Sequence, residues 1–398
     1  MQLYLQLGYG MMQHCHELLG TWKQGGVVLS PRDLTNDQLR RVAGNARSHG
    51  CEPLLDPQCF FRGADHHRLT NHSYWEAISS HATGAFMGGP GTAALLGELA
   101  NTARSMGINR HILPGCLADT VSDDWFAMQE CIIAEAPGHF GDDQFLATVA
   151  LSASAMQHEE QVEAVVERAR GWNVSGFYVV AESPSGYLVD NPIWLANLLI
   201  LVSGLKLLNK QVIVGYCSHQ MLCLASAGAD IIASGTWLNV RAFGPARFFE
   251  PEATDVSRRA VWYYCPQASS EYKMAFLDIA HRGGILHRMR PNPALGSIYA
   301  DPLFAGAPPS SVNWTFTDAF RHYLACLCSQ AAVAKQPSFD ATIGELRHNL
   351  DSAESLLHLL HANGVAGQDR DFRDCVDVNR SALIVFERAR GERLRRAW

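Results

Sequence analysis

Short runs rich in β-branched and aromatic residues recur over the first 235 positions, and stretches with helical spacing of apolar residues separate them. Alternation of this kind predicts parallel strands joined by helical crossovers. Eight strands can be drawn: 3–9, 27–30, 53–56, 111–114, 145–152, 177–182, 211–218 and 229–235. The stretch TNDQLRRVAGNARSHG between the second and third predicts a helix, with Thr35 placed to cap it and Gly50 to end it. HEEQVEAVVERARGW has the same character just before the sixth strand. The alternation stops after Phe243, so the expected fold is α/β, a (β/α)8 TIM barrel that closes near residue 240.

Residues 1–244 are read as the barrel domain. Residues 245–398 are read as an appendage packed on it: a segment rich in Pro, Gly and aromatics, then a mainly helical tail. The connection 57–110 is long for a βα loop and carries GADHHRLTNHSYW, which predicts a functional loop over the pocket. The chain of 398 residues exceeds the ~250 of a bare barrel, leaving room for one large core and an addition.

Composition adds a few limits. The eleven cysteines are scattered through apolar stretches without the spacing of a disulfide framework, which predicts reduced thiols and a cytoplasmic protein. The N-terminus has no basic stretch before an apolar run, so no signal peptide is expected. The longest apolar run, 193–205, falls short of the ~20 residues of a bilayer span and predicts a buried barrel helix, with no membrane partner. A formal charge of −7 argues against coating nucleic acid by bulk electrostatics. Local basic groups remain: Arg258, Arg259, Lys273, Arg282, Arg288 and Arg290, and the terminal RARGERLRRAW. Each suits either phosphate contact or a solvated surface.

In a barrel of this type the chemistry sits where strands end and βα loops begin. The strand map places there Arg32 and Asp33, Asp56 and Gln58, Asp119, Ser152 and Ser154, Glu182, and Tyr216, Ser218 and His219. After the last strand come Ser234, Thr236, Trp237, Asn239 and Arg241. Asp56 stands out as the catalytic carboxylate: PLLDPQ ends an apolar strand on an acid, and Pro57 stiffens the exit. The bland alternative is an Asp that caps its own loop. Glu182 follows FYVVA in the same way and could instead bridge to a neighbouring loop, while Asp33 could simply begin a helix. His14 with His16, and His66 with His67, suggest metal ligands but lack further ligands at suitable spacing. Cys326 and Cys328 lack the second pair of a zinc ribbon. No metal and no cofactor are expected.

With these residues in place the chain resembles the tRNA-guanine transglycosylase superfamily. LLDPQCFF sets Asp56 where that family has a TDSGG-type turn, and AESPSG with Glu182 is similar to its later Gly- and Glu-containing segment. The family's second Asp, the covalent nucleophile of its last strand, is matched by Ala233 in AGADIIASG, with Asp230 three positions earlier, and its CxCxxC zinc motif is absent. The DPQ turn, HRLTNHSYW and GYCSHQMLCLASAGADIIASGTWLNVR resemble an antiphage branch of DNA glycosylases that remove glucosylated hydroxymethylcytosine.

That resemblance implies double-stranded phage DNA with modified bases as partner, a base flipped out of the duplex, and an abasic product. Asp56 would stabilise the cationic sugar and orient or deprotonate water, with Glu182 polarising the base or holding the sugar. Arg32, Asp33, Gln58, Tyr216, His219, Ser234, Trp237 and Asn239 would line the base or sugar pocket. Arg241, Trp262, Tyr263, Tyr264 and Lys273 would meet the nucleic acid, as could Tyr74 and Trp75; packing between barrel and appendage is the alternative for each aromatic. Three other readings stand beside this one: base exchange on RNA, a phosphate-binding barrel acting on a small metabolite with AGADIIASGTW as its phosphate loop, and a barrel that binds without chemistry.

Overall fold

The computed structural model describes residues 1–250, 260–294 and 297–398; Arg258 and Arg259 lie outside the described residues. Eight parallel strands form the centre: β1 (Gln2–Gln6), β2 (Gly26–Leu29), β3 (Glu52–Leu55), β4 (Arg110–Ile112), β5 (Gln144–Leu151), β6 (Gly176–Ala181), β7 (Gln211–Val214) and β8 (Ile231–Ser234). Their hydrogen-bonded order is β3-β2-β1-β8-β7-β6-β5-β4, a nearly closed ring in which β1 pairs with both β2 and β8. The architecture is therefore the expected (β/α)8 barrel, and every predicted strand overlaps an observed one. The ring closes where β3 and β4 lie side by side. There Arg110 at the start of β4 donates to Glu52 at the start of β3 at 2.6 Å and also to Gln211 of β7, while the Tyr4 hydroxyl donates to Glu52 at 2.6 Å. This cluster plugs the end of the barrel at which the strands begin.

The crossovers are α1 (Met12–Trp22), α2 (Asn36–Ser48), then α3 (His67–Thr70), α4 (Ser73–His81) and α5 (Pro90–Met106) within the long third connection, followed by α6 (Asp123–Phe140), α7 (Glu159–Ala169) and α8 (Pro192–Lys206). Helix α2 begins as its sequence dictates: the Thr35 side chain accepts from the Gln38 backbone N–H, and Gln38 accepts from Thr35 in return. A 3-10 segment, His219–Ala227, stands between β7 and β8 where a helix would be usual.

After the barrel come an antiparallel hairpin, β9 (Trp262–Cys265) and β10 (Ser270–Lys273), and helices α9 (Met274–Arg282), α10 (Phe316–Ala334), α11 (Phe339–Ala362) and α12 (Arg373–Ala397). Helix α10 packs against β1, α1 and the 219–227 segment, so the tail completes the outer ring. Helix α12 lies along α8. That explains why α8 is apolar on all sides: the barrel covers one face and α12 the other. Among the described residues no helix is long and apolar enough to cross a membrane. All eleven cysteines are unpaired thiols.

Candidate functional site

The ends of the strands opposite the Arg110 plug carry a second polar cluster. Asp56 follows β3 directly and is 1% exposed. Its Oδ2 accepts from the hydroxyls of Tyr216 at 2.9 Å and Tyr178 at 3.1 Å, and its Oδ1 accepts from the Gln58 backbone N–H at 2.9 Å. Gln58 in turn donates from Nε2 to Ser30 at 2.9 Å and to the Tyr216 hydroxyl at 3.2 Å, and accepts the Arg32 backbone N–H at 2.8 Å. The Tyr178 hydroxyl also lies 3.4 Å from Gln6 Oε1, while the Nε2 of that fully buried amide has no partner among the described residues. Five strand ends thus converge on one carboxylate.

Local backbone shape supports this convergence. Gln58 has φ +57° and Tyr216 φ +56°, in the left-handed region that non-glycine residues enter at a cost. The two that do so here are those whose side chains or amides hold Asp56. Gly215 is required for a steric reason, because a Cβ there would stand 2.5 Å from the Tyr178 hydroxyl. Tyr74, buried on α4, donates to the Pro57 carbonyl at 2.9 Å and fixes the turn leaving Asp56.

Among the described residues no cation is hydrogen-bonded to Asp56. Burial raises its pKa to about 6, although the Tyr216, Gln58 and Tyr178 hydrogen bonds and the Arg247 charge pull the other way. The neighbouring acid is handled differently. Asp33, also buried, pairs with Arg247 at 2.8 Å and Arg32 at 2.7 Å and accepts the Ser30 hydroxyl at 2.7 Å. It does not begin α2, and its oxygens are committed to holding the two arginines. Phe60 and Phe243 pack edge-on against Tyr216 and each other, with Phe60–Phe243 centroids 5.0 Å apart, and Phe248 packs against both phenylalanines. They form an aromatic cap on Tyr216, drawn from the loops after β3 and β8, beside the buried Asp56.

An open cleft of about 550 Å³ is lined by Tyr9, Arg32, Trp237, Asn239, Trp262 and Arg370. A smaller recess continues from it past Thr236, whose buried hydroxyl has no partner among the described residues. Arg370 stacks over the Trp262 ring at 4.1 Å and Lys273 approaches the same ring at 5.0 Å. Arg32, Trp237, Asn239 and Trp262 are thus brought together from three separate segments.

Other expected residues go elsewhere. Arg241 is buried, pairs with Glu271 at 3.2 Å and stacks 3.4 Å over Tyr323, out of reach of a nucleic-acid phosphate. Burial would raise the Glu271 carboxyl, but Arg241 and Arg370 outweigh it and hold it below its ordinary value. His219 is buried beside this group, bonded to the Ser269 carbonyl at 2.7 Å, and burial lowers its pKa to about 4. Tyr263 and Tyr264 are also buried, their hydroxyls donating to the Met289 carbonyl at 2.6 Å and to Gln330 at 3.0 Å. They are core of the hairpin rather than a surface for DNA, and Trp75 is buried likewise. Ser234 is buried at the end of β8. Glu182, half-buried, accepts the Ala153 backbone N–H at 3.0 Å and so ties the β5 and β6 loops together.

Asp230 sits at the opposite end of the barrel, bound to Lys206 at 2.8 Å and to the Val212 N–H. Ala233 is buried inside β8. Among the described residues no group of three or more His, Cys, Asp or Glu is arranged to hold a metal; His14 packs against Phe320, and His16 against Asn45.

The residues that sequence reasoning missed are Gln6, Ser30, Tyr178, Arg247 and Arg370. Tyr178 could have been found, since it is the polar-tipped residue in FYVVAE at an inward position of a period-2 strand. Arg247, alone among phenylalanines in RAFGPARFFE, gave a weaker signal.

No family model matches the chain, and no curated protein matches it. Among solved structures, thiamine phosphate pyrophosphorylase from Pyrococcus furiosus is similar at 11% identity, with a TM-score of 0.31 over 59% of this chain and 85% of that one. A likeness that slight says nothing about activity.

Proposed function

We propose that the chain is an enzyme that hydrolyses the N-glycosidic bond of a flipped-out modified base in DNA and leaves an abasic site. The base implied by the resemblance drawn from the sequence is glucosylated hydroxymethylcytosine. The observation that carries the reading is the state of Asp56: a desolvated carboxylate at the mouth of the barrel, with no ion pair among the described residues and a pKa raised to about 6. Such a group is largely ionised at neutral pH yet basic enough to accept a proton. It would take a proton from water as the water oxygen bonds to C1′. The C1′–N bond breaks, and the base leaves with the bonding pair and is protonated. Anionic charge beneath the sugar favours the oxocarbenium-like transition state.

The reading requires Asp56 to be uncovered, since it is buried beside the cap of Phe60, Phe243 and Phe248. The open cleft offers Trp237 and Trp262 for stacking, and Arg32 and Arg370, ion-paired to Asp33 at 2.7 Å and Glu271 at 2.9 Å, would turn their remaining N–H groups to phosphate. Glu182, on the loop that bridges to Phe243, would steady the sugar or the departing base. Base exchange through a covalent adduct is disfavoured, because Asp230 is ion-paired at the far end of the barrel and Ala233 carries no nucleophile.

A second reading, an enzyme for a small phosphorylated metabolite, is favoured by the size of the open cleft and its two arginines. Mass spectrometry of bases released from DNA carrying different cytosine modifications separates the two. Release of one modified base, lost in Asp56→Asn, is the expected result. No release from any DNA would overturn the glycosidic reading.

A further inference from the structure

Between the tail and the barrel lies a second cavity of about 280 Å³, lined by residues of α10, α11 and α12, the 219–227 segment and the β9–β10 turn. It shares no lining residue with the open cleft. Well-packed interiors leave few voids larger than a water molecule, whereas an apolar cavity of roughly 150 Å³ already admits benzene. The space here is therefore of ligand size rather than a packing defect.

Its lining restricts what can enter. Leu222, Leu346, Leu383 and Phe372 give apolar walls. Among the described residues no lysine or arginine lines it and Glu345 is its one carboxylate, and the His219 imidazole is kept neutral at physiological pH by burial. An anion would meet repulsion and no partner. Hydrogen-bonding capacity comes from amides. Asn379 is 3% exposed and spends its Nδ2 on the Cys375 carbonyl at 2.7 Å, while its side-chain oxygen has no hydrogen bond among the described residues. Asn349 spends one N–H on Glu345 at 3.3 Å and its side-chain oxygen has no hydrogen bond among the described residues, while Gln330 accepts the Tyr264 hydroxyl at 3.0 Å and donates to the Pro266 carbonyl at 3.4 Å. The open oxygens of Asn349 and Asn379 and the second N–H of each amide, set between leucines and a phenylalanine, match a flat uncharged heterocycle that has both donors and acceptors on its edge.

We infer that this cavity is a binding site for an uncharged nucleobase or nucleoside, and that it excludes the corresponding nucleotides. The inference stands on the tail helices and does not use Asp56, so it survives or fails independently of the glycosidic reading.

Isothermal titration of the full chain with adenosine, guanosine, cytidine and thymidine, and with their 5′-monophosphates, tests it. At least one nucleoside is expected to bind with submillimolar Kd, and its monophosphate at least tenfold more weakly. Leu346→Trp, at a half-buried position on α11, should fill the space and abolish binding. Asn379→Leu should weaken binding at least tenfold. Circular dichroism and the Tm establish that each variant is folded; should Asn379→Leu fail that control, Leu346→Trp alone decides. Absence of submillimolar binding by all four nucleosides, equal binding of nucleoside and monophosphate, or undiminished binding to folded Leu346→Trp would each overturn the assignment.

Discussion

Both ends of the barrel are closed by a carboxylate, a tyrosine and a glutamine, and the difference between them separates a plug from a site. At the end where the strands begin, Glu52 faces Arg110 directly and accepts from Tyr4, so charge is answered by charge. At the other end, Asp56 receives two phenols and a backbone N–H, and its pKa rises to about 6. A neutralised acid stabilises; an acid denied a counter-ion retains basicity that chemistry can use. The same comparison holds within the mouth, where Asp33 takes both nearby arginines and leaves Asp56 without one.

The sharpest way to break this comparison is Asp56→Asn, expected to lower base release by about a thousandfold or more while the fold survives. Retained turnover, measured on the DNA that supports activity, would return Asp56 to the class of structural acids. The next effect concerns stability. Because the folded pKa of Asp56 lies above the unfolded value, its contribution is fully present below about pH 4 and is lost as pH rises through about 6. Asp56→Asn should therefore gain on the native protein between pH 4 and 7, by an amount on the order of 2–3 kcal/mol. Denaturant melts across that range would show a flat difference if the carboxylate were not desolvated.

Arg110→Ala should do the opposite at the other end, costing about 1–3 kcal/mol in urea melts at unchanged m-value. It should leave the pH dependence of catalysis untouched, and a shifted profile would mean that the two ends are coupled. The smallest expected effect is that of Tyr216→Phe. Removing a hydrogen bond to the charged form raises the Asp56 pKa further, so the acid limb of the pH–rate profile should move upward by roughly half a unit to one unit. A downward shift would assign Tyr216 a different function.

Much of the frame was legible because strand period and βα alternation are local properties: the eight runs, the Thr35 cap and the position of Asp56 all follow from short windows. What escaped is what ring closure and the tail bring together. Arg247 reaches Asp33 across 214 positions, and Arg370 reaches Glu271 across 99. Tyr263 and Tyr264 read as surface aromatics beside Lys273, yet the hairpin is covered on both faces, a matter of what packs against it rather than of its own pattern. Arg241 had the position of a phosphate ligand, but a partner thirty residues downstream claimed it.

The pairing of α8 with α12 bears on how the protein is made. Synthesis runs from the N-terminus, so every barrel strand has left the ribosome while residues 373–397 are still to come. During that interval the side of the largely apolar α8 that α12 covers has nothing to lie against. The nascent chain thus passes through a stage with a greasy flank exposed, and chaperone demand should fall only when the last turns of the tail arrive.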